Sequence, residues 1–235
     1  MESRRGRSSV VKELLEFVEE GAEAVVFTGY MLGNKVIVKQ RIRKPYRDQR
    51  FDEIFRYTRT KTEAKILAEL FLKGLNVPAP LIVDIDKYLI VMEYIEGRKL
   101  VDIINETSEN KIAKIATELG VQVGKMHSQN IYHGDLTLGN IILSVDGHVY
   151  LIDFGLAGYS RDIEEYAIDL HLLRRSLMAI VPEKFEVFFG NFLLGYRNGY
   201  PQKYQEVINR LEEIKLRGRY VEERLKKIRG ERYSE

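Results

Sequence analysis

At 235 residues with 45% hydrophobic side chains, the chain is long enough for one domain or one two-lobed unit with a sizeable buried core. It has no cysteine, which excludes disulfides, thiol catalysis and cysteine-ligated zinc, and His127, His133, His148 and His171 lack the spacing of a metal motif. The formal net charge is only +2, no apolar run approaches a membrane span, and no signal-peptide core follows the basic start, so a soluble cytoplasmic protein without membrane contacts is expected.

Residues 1–9 are polar, rich in Arg and Ser, and read as flexible; residues 10–20 fit helix and strand equally. After Gly21-Ala22-Glu23-Ala24, the run Val25-Val26-Phe27 reads as a strand, and a turn at Gly33-Asn34 leads into a second strand, Val36-Ile37-Val38-Lys39. Residues 39–65 carry ten Lys or Arg against four Asp or Glu, which fits either a patch for an anionic partner or a solvated helix face. Residues 41–50 contain a proline and read as a basic loop. From Phe51 a helical pattern begins, its main part starting at Thr60 or Thr62, with Glu63 at its front and Ala64, Leu67, Ala68 and Phe71 as its apolar stripe. Gly74, Pro78 and Pro80 mark turns. Leu81-Ile82-Val83 and Tyr88 to Met92 form a hairpin, followed by a connecting stretch, Glu93-Tyr94-Ile95-Glu96-Gly97.

Residues 98–106 read as helix, and a longer helix at about 109–128 carries Ile112, Ile115, Leu119, Val123 and Met126 on one face. His133-Gly134-Asp135-Leu136-Thr137-Leu138-Gly139-Asn140 follows, then a small hairpin turning at Asp146-Gly147, then Ile152-Asp153-Phe154-Gly155. Only Leu156 to about Asp162 separates that turn from a helix containing Asp169, which is either a surface acid or a tether for the backbone near residues 133–135. Helices at 183–198 and 201–216 precede a tail, residues 217–232, that is basic and need not pack on the body.

The order and spacing of Asp135, Asn140 and Asp153 match a protein-kinase-like phosphoryl-transfer site. Such chemistry asks for charge neutralisation and in-line positioning more than for covalent help. On this reading Asp135 accepts or orients the proton of the attacking hydroxyl or water, and Asn140 and Asp153 hold Mg²⁺ on the phosphates of ATP. Lys39 contacts the α- and β-phosphates, and Glu63 pairs with Lys39, against the alternative of an ordinary Glu favoured by a helix N-terminus. Gly21, Ala22, Glu23 and Ala24 cover the phosphates, though the turn is poor in glycine. Met92, Glu93, Tyr94 and Ile95 line the adenine through their backbone. His127 and His133 read as packing or hydrogen-bonding residues, since Asp135 is better placed to act as base. The expected architecture is α+β, a minimal bilobal protein-kinase-like fold: a β-rich N-lobe over residues 1–96, a mainly helical C-lobe over 97–216 and a basic tail over 217–235. The segment after Gly155 is short and lacks the Ala-Pro-Glu of a peptide-docking platform.

Gly21-Ala-Glu-Ala, Arg43-Lys-Pro-Tyr-Arg47, Arg59-Thr-Lys-Thr-Glu-Ala64, His133-Gly-Asp-Leu-Thr137 and Ile152-Asp-Phe-Gly-Leu-Ala157 together resemble the small atypical kinase of the KEOPS complex, in its archaeal single-domain form. His-Gly-Asp alone is shared with RIO kinases and aminoglycoside phosphotransferases; the Gly-Ala-Glu-Ala and Arg-Thr-x-x-Glu-Ala elements separate this family from both. The resemblance implies an ATP- and Mg²⁺-dependent Ser/Thr protein kinase and ATPase. Its implied partners are the Kae-type threonylcarbamoyl-transferase subunit and other KEOPS subunits, and its implied task is supporting threonylcarbamoyladenosine formation at position 37 of tRNA. It also implies tRNA contact through the complex or the basic tail. The competing expectations are a free-standing RIO-like protein kinase or small-molecule phosphotransferase, and a non-catalytic scaffold, against which five intact site residues argue.

Overall fold

The computed structural model describes residues 15–231, with side chains described through Arg217. The expectation of flexibility for residues 1–9, and the ambiguous run as far as residue 14, lie outside the described residues. The chain divides into two compact units, Met1–Gly97 with Ser144–Ala157, and Arg98–Leu143 with Gly158–Glu235.

The first unit is built on strands β1 (Glu16–Glu20), β2 (Ala24–Met31), β3 (Asn34–Arg41), β4 (Pro80–Asp84) and β5 (Leu89–Glu93), antiparallel in the order β1-β2-β3-β5-β4. The β2–β3 turn is tight because Leu32 and Gly33 both take positive φ, 52° and 82°, the twist that two-residue hairpins favour. Strand alternation then sorts β3. Val36 and Val38 join Val91, Phe27, Leu89, Met31 and Leu15 in an apolar cluster. Lys39 and Arg41, two apart, share the opposite face, opposed by Val26 and Ala24 on β2, and Lys39 also by Ile90 on β5.

Helix α1 (Gln49–Leu72) is a single element of 24 residues. The expectation of a main part starting at Thr60 or Thr62 is therefore corrected. Asp48 caps the helix by accepting from Phe51 N at 3.1 Å, no Gly or Pro interrupts residues 49–72, and the Thr60 hydroxyl bonds back to Arg56 O at 2.8 Å, so it continues the helix rather than starting it. Glu63 thus lies well inside the helix, and the helix-dipole account of it fails. The buried stripe comprises Thr60, Glu63, Ala64, Ile66, Leu67 and Leu70, while Phe71 faces outward.

In chain order there follow β6 (Gly97–Lys99), α2 (Leu100–Ile103), α3 (Glu109–Ser128), β7 (Ile131–Tyr132), β8 (Ile141–Ser144), β9 (Val149–Leu151), β10 (Gly158–Tyr159), α4 (Ile163–Ile180), α5 (Phe185–Gly199) and α6 (Tyr204–Glu231). The helix expected over 98–106 is replaced by β6, the short α2 and a single 3₁₀ turn, and the helix expected to end at 216 runs on to Glu231. The hairpin at Asp146-Gly147 forms as expected, with Gly147 at φ 87°. No helix is long and apolar enough to cross a membrane among the described residues.

The second unit is centred on α3 against α5, and glycine decides how closely they approach. A Cβ on Gly120 would lie 2.1 Å from Phe192 O, and one on Gly195 would lie 2.0 Å from Thr117 O; Gly124 and Gly199 meet the facing backbone in the same way. Each helix places two glycines four apart, on one face. The approach brings His127 of α3 to Tyr196 of α5, at the centre of the ring cluster His127, Tyr166 and Tyr196. Gly195→Ala should cost about 1–3 kcal/mol or more from backbone overlap, whereas Gly190→Ala, on the same helix with open space around it, should be neutral or stabilising by up to ~1 kcal/mol. Thermal denaturation of the two variants checks this; equal effects would mean that the close crossing does not set stability.

Candidate active site

In the first unit, Lys39 reaches from β3 between two carboxylates. Its Nζ donates to Glu63 Oε1 at 2.7 Å and to Asp153 Oδ1 at 2.6 Å. The pairing expected between Lys39 and Glu63 is present, and Asp153 joins it. Glu63 is nearly waterless, and its second oxygen accepts from Arg41 Nη2 at 2.6 Å. Burial works against the charge on Lys39, yet the carboxylates of Glu63 and Asp153 outweigh it and hold its pKa above the ordinary lysine value.

Asp153 sits at φ 59°, a left-handed conformation that a short polar side chain tolerates by bonding locally. Here Gly155 N donates to Asp153 Oδ1 at 3.1 Å. Space at Gly155 is tight: a Cβ there would come to 3.0 Å of Asp153 Oδ1, 3.3 Å of Arg41 Nη2 and 3.4 Å of Lys39 Nζ. Arg59, one turn before Glu63 on α1, donates to Gly155 O at 3.3 Å. One helix therefore supplies both the partner of Lys39 and an anchor for the segment carrying Asp153.

The expected phosphate-covering residues form the turn between β1 and β2, closed by Gly21 N donating to Ala24 O at 2.9 Å. Gly21 has only ordinary contact at its Cβ position, Ala22 is exposed, Glu23 faces Arg47 at 3.5 Å, and Ala24 is buried beside Arg41. Met92 and Glu93 end β5, with Met92 on the same sheet face as Lys39, opposed to Ile37. Glu93 is tied to Ala79 through its backbone N–H and its side chain. Tyr94 and Ile95 lie between β5 and β6, Tyr94 with Lys35 Nζ over its ring at 4.2 Å and Ile95 buried.

In the second unit, one buried carboxylate organises the His-Gly-Asp stretch. Asp169 of α4 accepts from His133 N at 2.6 Å and from Gly134 N at 2.8 Å. It is fully buried, so it is the tether rather than a surface acid. Gly134 adopts φ 79°, a conformation that favours glycine. His127 Nε2 lies 3.1 Å from Asp169 Oδ2, and its Nδ1 lies 2.8 Å from the Tyr196 hydroxyl. Because a carboxylate only accepts, Nε2 donates and Nδ1 takes the Tyr196 proton. Both histidines read as packing residues are indeed buried and hydrogen-bonded. Asn140 turns its Nδ2 onto Asp135 O at 2.9 Å and Asp135 Oδ2 at 2.8 Å, which leaves its Oδ1 as the oxygen for a cation. A carboxylate, as on Asp153 in the first unit, and an amide oxygen, as on Asn140 in the second, are each donor types that suit a hard divalent ion such as Mg²⁺, which accepts one or two protein oxygens and takes the rest from phosphate and water.

Arg41, Arg59 and His127 were not read as part of the machinery from sequence. The first was legible in principle, since strand alternation puts residue 41 on the face of residue 39, and Arg59 and Glu63 are four apart on a helix. Nothing in the sequence pairs His127 with Asp169.

Burial outweighs the pull of Asp169 and lowers the pKa of His127. Below the ordinary histidine pKa of about 6.5, the unfolded chain then binds a proton that the native one refuses, so stability falls with pH at up to ~1.4 kcal/mol per unit for this residue. His171 shifts the same way, through burial and nearby Arg174, Arg175 and Lys215. His127→Gln should therefore flatten, without abolishing, the loss of stability from pH 6.5 to 5 in urea denaturation; an unaltered slope would mean that native His127 titrates normally. Asp169→Asn, which sets an amide against two backbone donors, should cost about 3 kcal/mol or more in the same measurement at pH 7.

A protein-family model described as the protein kinase domain matches residues 13–170. Over 215 residues the chain is 40% identical to the KEOPS complex subunit Bud32 of Pyrococcus abyssi, covering 88% of this chain and 97% of that protein. It is 41% identical over 203 residues to a probable bifunctional tRNA threonylcarbamoyladenosine biosynthesis protein of Methanosphaera stadtmanae, and 36% identical over 220 residues to its namesake in Methanocaldococcus jannaschii. These matches cover 86% and 93% of this chain but only 36% and 39% of those two longer relatives. A buried lysine–glutamate pair, an aspartate before Phe-Gly bonded to the same lysine, and a tethered His-Gly-Asp stretch agree with these matches: the chain belongs to the protein kinase family, among the relatives of the KEOPS subunit Bud32.

Proposed function

We propose that this chain is the atypical Ser/Thr protein kinase and ATPase of a KEOPS complex, spending ATP to support threonylcarbamoyladenosine modification of tRNA. The observation that carries the chemistry is Lys39 Nζ held 2.7 Å from Glu63 and 2.6 Å from Asp153, a cation pre-positioned beside a carboxylate suited to metal binding. The assignment to a KEOPS complex rests on the name of the Bud32 relative, aligned over 97% of its length, and the assignment to threonylcarbamoyladenosine modification on the names of the longer bifunctional relatives.

Lys39 binds the α- and β-phosphates, and Glu63 fixes the lysine. A bound Mg²⁺ would neutralise phosphate charge, with Asp153 and Asn140 as its protein ligands. Asp135 orients the attacking hydroxyl or water; Asn140 engages its Oδ2, which leaves Oδ1 for the proton. Gly21 to Ala24 cover the phosphates, and the backbone of Met92 to Ile95 receives the adenine. Catalysis is then mainly orientation and charge compensation. Residues 1–96 form the N-lobe and residues 97–216 the C-lobe on this reading, and the tail from 217 to 235 serves tRNA or complex contacts in the cytoplasm.

Between Gly155 and α4 the chain has room only for the two-residue β10, paired with β7. So short a segment suits water, or a residue of a firmly held partner, as phosphoryl acceptor better than a free extended peptide. The partner this favours is the Kae-type transferase subunit.

The test follows γ-labelled ATP with the chain alone, then with a Kae-type partner and tRNA, each beside Asp153→Ala. The expected result is label on protein in the first case and mainly free phosphate in the second. Steady protein labelling with or without the partner would favour an independent kinase, and wild type as silent as Asp153→Ala throughout would favour a scaffold.

A further inference from the structure

Arg41 is as deeply buried as the carboxylate it meets, its side chain 2% exposed against 1% for Glu63. It occupies Glu63 Oε2 while Lys39 occupies Oε1, so two cations share one carboxylate and Lys39 also serves Asp153. The formal charges of Lys39, Arg41, Glu63 and Asp153 cancel. Without Arg41 the set would carry one net negative charge, which draws Lys39 inward and repels phosphate.

Lys39 has a competing duty that Arg41 lacks. To meet a phosphate, Lys39 must loosen its hold on at least one carboxylate, and a buried carboxylate that loses its cation is costly. Arg41 keeps Glu63 paired throughout. Its Nε has no hydrogen-bond partner among the described residues, so the guanidinium is not fully committed elsewhere. The space above Gly155, where Lys39, Arg41 and Asp153 tips converge within 3.4 Å of a single point, shows that Arg41 belongs to the same cluster and is not a remote brace.

We propose that Arg41 is a second positioning cation, which holds Glu63, and through it helix α1, on strand β3 while Lys39 turns to the nucleotide. The inference rests on the nucleotide-site reading above. It makes α1 a fixed element, anchored with or without nucleotide, because its carboxylate never depends on Lys39 alone.

The experiment measures the affinity of a fluorescent ATP analogue with Mg²⁺, together with thermal stability, for wild type, Arg41→Met, Arg41→Lys, Glu63→Gln and the Arg41→Met/Glu63→Gln double variant. Arg41→Met should weaken binding about tenfold, and Arg41→Lys, which keeps the charge, should recover most of it. In the Glu63→Gln background the charge to be balanced is gone, so the same Arg41→Met change should alter binding by less than about threefold. An equal loss in both backgrounds would reduce Arg41 to packing and overturn the proposal, as would full binding by folded Arg41→Met. Where Arg41→Met does not fold, Arg41→Lys and the double variant decide by the same comparison. A folded wild type that binds no nucleotide would sink the nucleotide-site reading itself, and the positioning role with it. That outcome is told apart from failure of the Arg41 role alone, in which wild type binds and Arg41→Met binds equally well.

Discussion

A carboxylate removed from water must be given donors or it will not stay charged. Of the buried acids among the described residues, Glu63 and Asp169 impose that constraint near the motif residues, one in each compact unit. Glu63 is satisfied by Lys39 and Arg41, and Asp169 by two backbone N–H groups and His127. Each acid is set on a long helix, and each holds a segment that carries candidate site residues. Removing one partner from such a group costs far more than an exposed ion pair is worth, whereas an apolar replacement of the whole set could be equally stable. The retention of buried charge at these two places therefore points to positioning, because hydrophobic packing would serve stability as well.

The backbone is bent to the same end. Asp153 takes a left-handed φ and Gly134 another, and in both cases the unusual conformation turns an N–H or a carboxylate toward the group that fixes it. Glycine appears where a Cβ would overlap a carbonyl, at Gly120 and Gly195 between α3 and α5, and where it would crowd charged tips, at Gly155 beside Lys39 and Arg41. The close helix crossing matters to the site because it brings Tyr196 to His127, which in turn meets the carboxylate beneath residues 133 and 134. Sequence pattern, helix packing and site geometry are thus one chain of cause.

Much of this was legible from the amino-acid sequence. Short apolar runs bounded by turn residues gave the antiparallel β2–β3 and β4–β5 pairs, because such runs and their turns are local properties, although the first turn sits at Leu32-Gly33, one residue before the Gly33-Asn34 expected. The motif spacing nominated Lys39, Glu63 and Asp153, and those three converge; it nominated Asp135 and Asn140, and those two bond. Boundaries fared less well where competing local signals were balanced. Thr60 and Thr62 looked like helix starts, yet a threonine inside a helix can bond back to the preceding turn, and Asp48 was the true cap. Residues 98–106 carried a helical pattern too short to decide between a strand, a turn of helix and a 3₁₀ turn.

The sequence by itself determined the covalent possibilities, the order of elements and which residue types could do phosphoryl chemistry, since composition and spacing are fixed along the chain. Only the tertiary structure decided which charges share a partner. That Arg41 shares one carboxylate with Lys39, that His127 sits between Asp169 and Tyr196, and that α3 and α5 touch through glycine depend on distances between residues 22 to 78 positions apart. Burial and hydrogen-bond geometry at that separation are products of packing, and no local pattern encodes them.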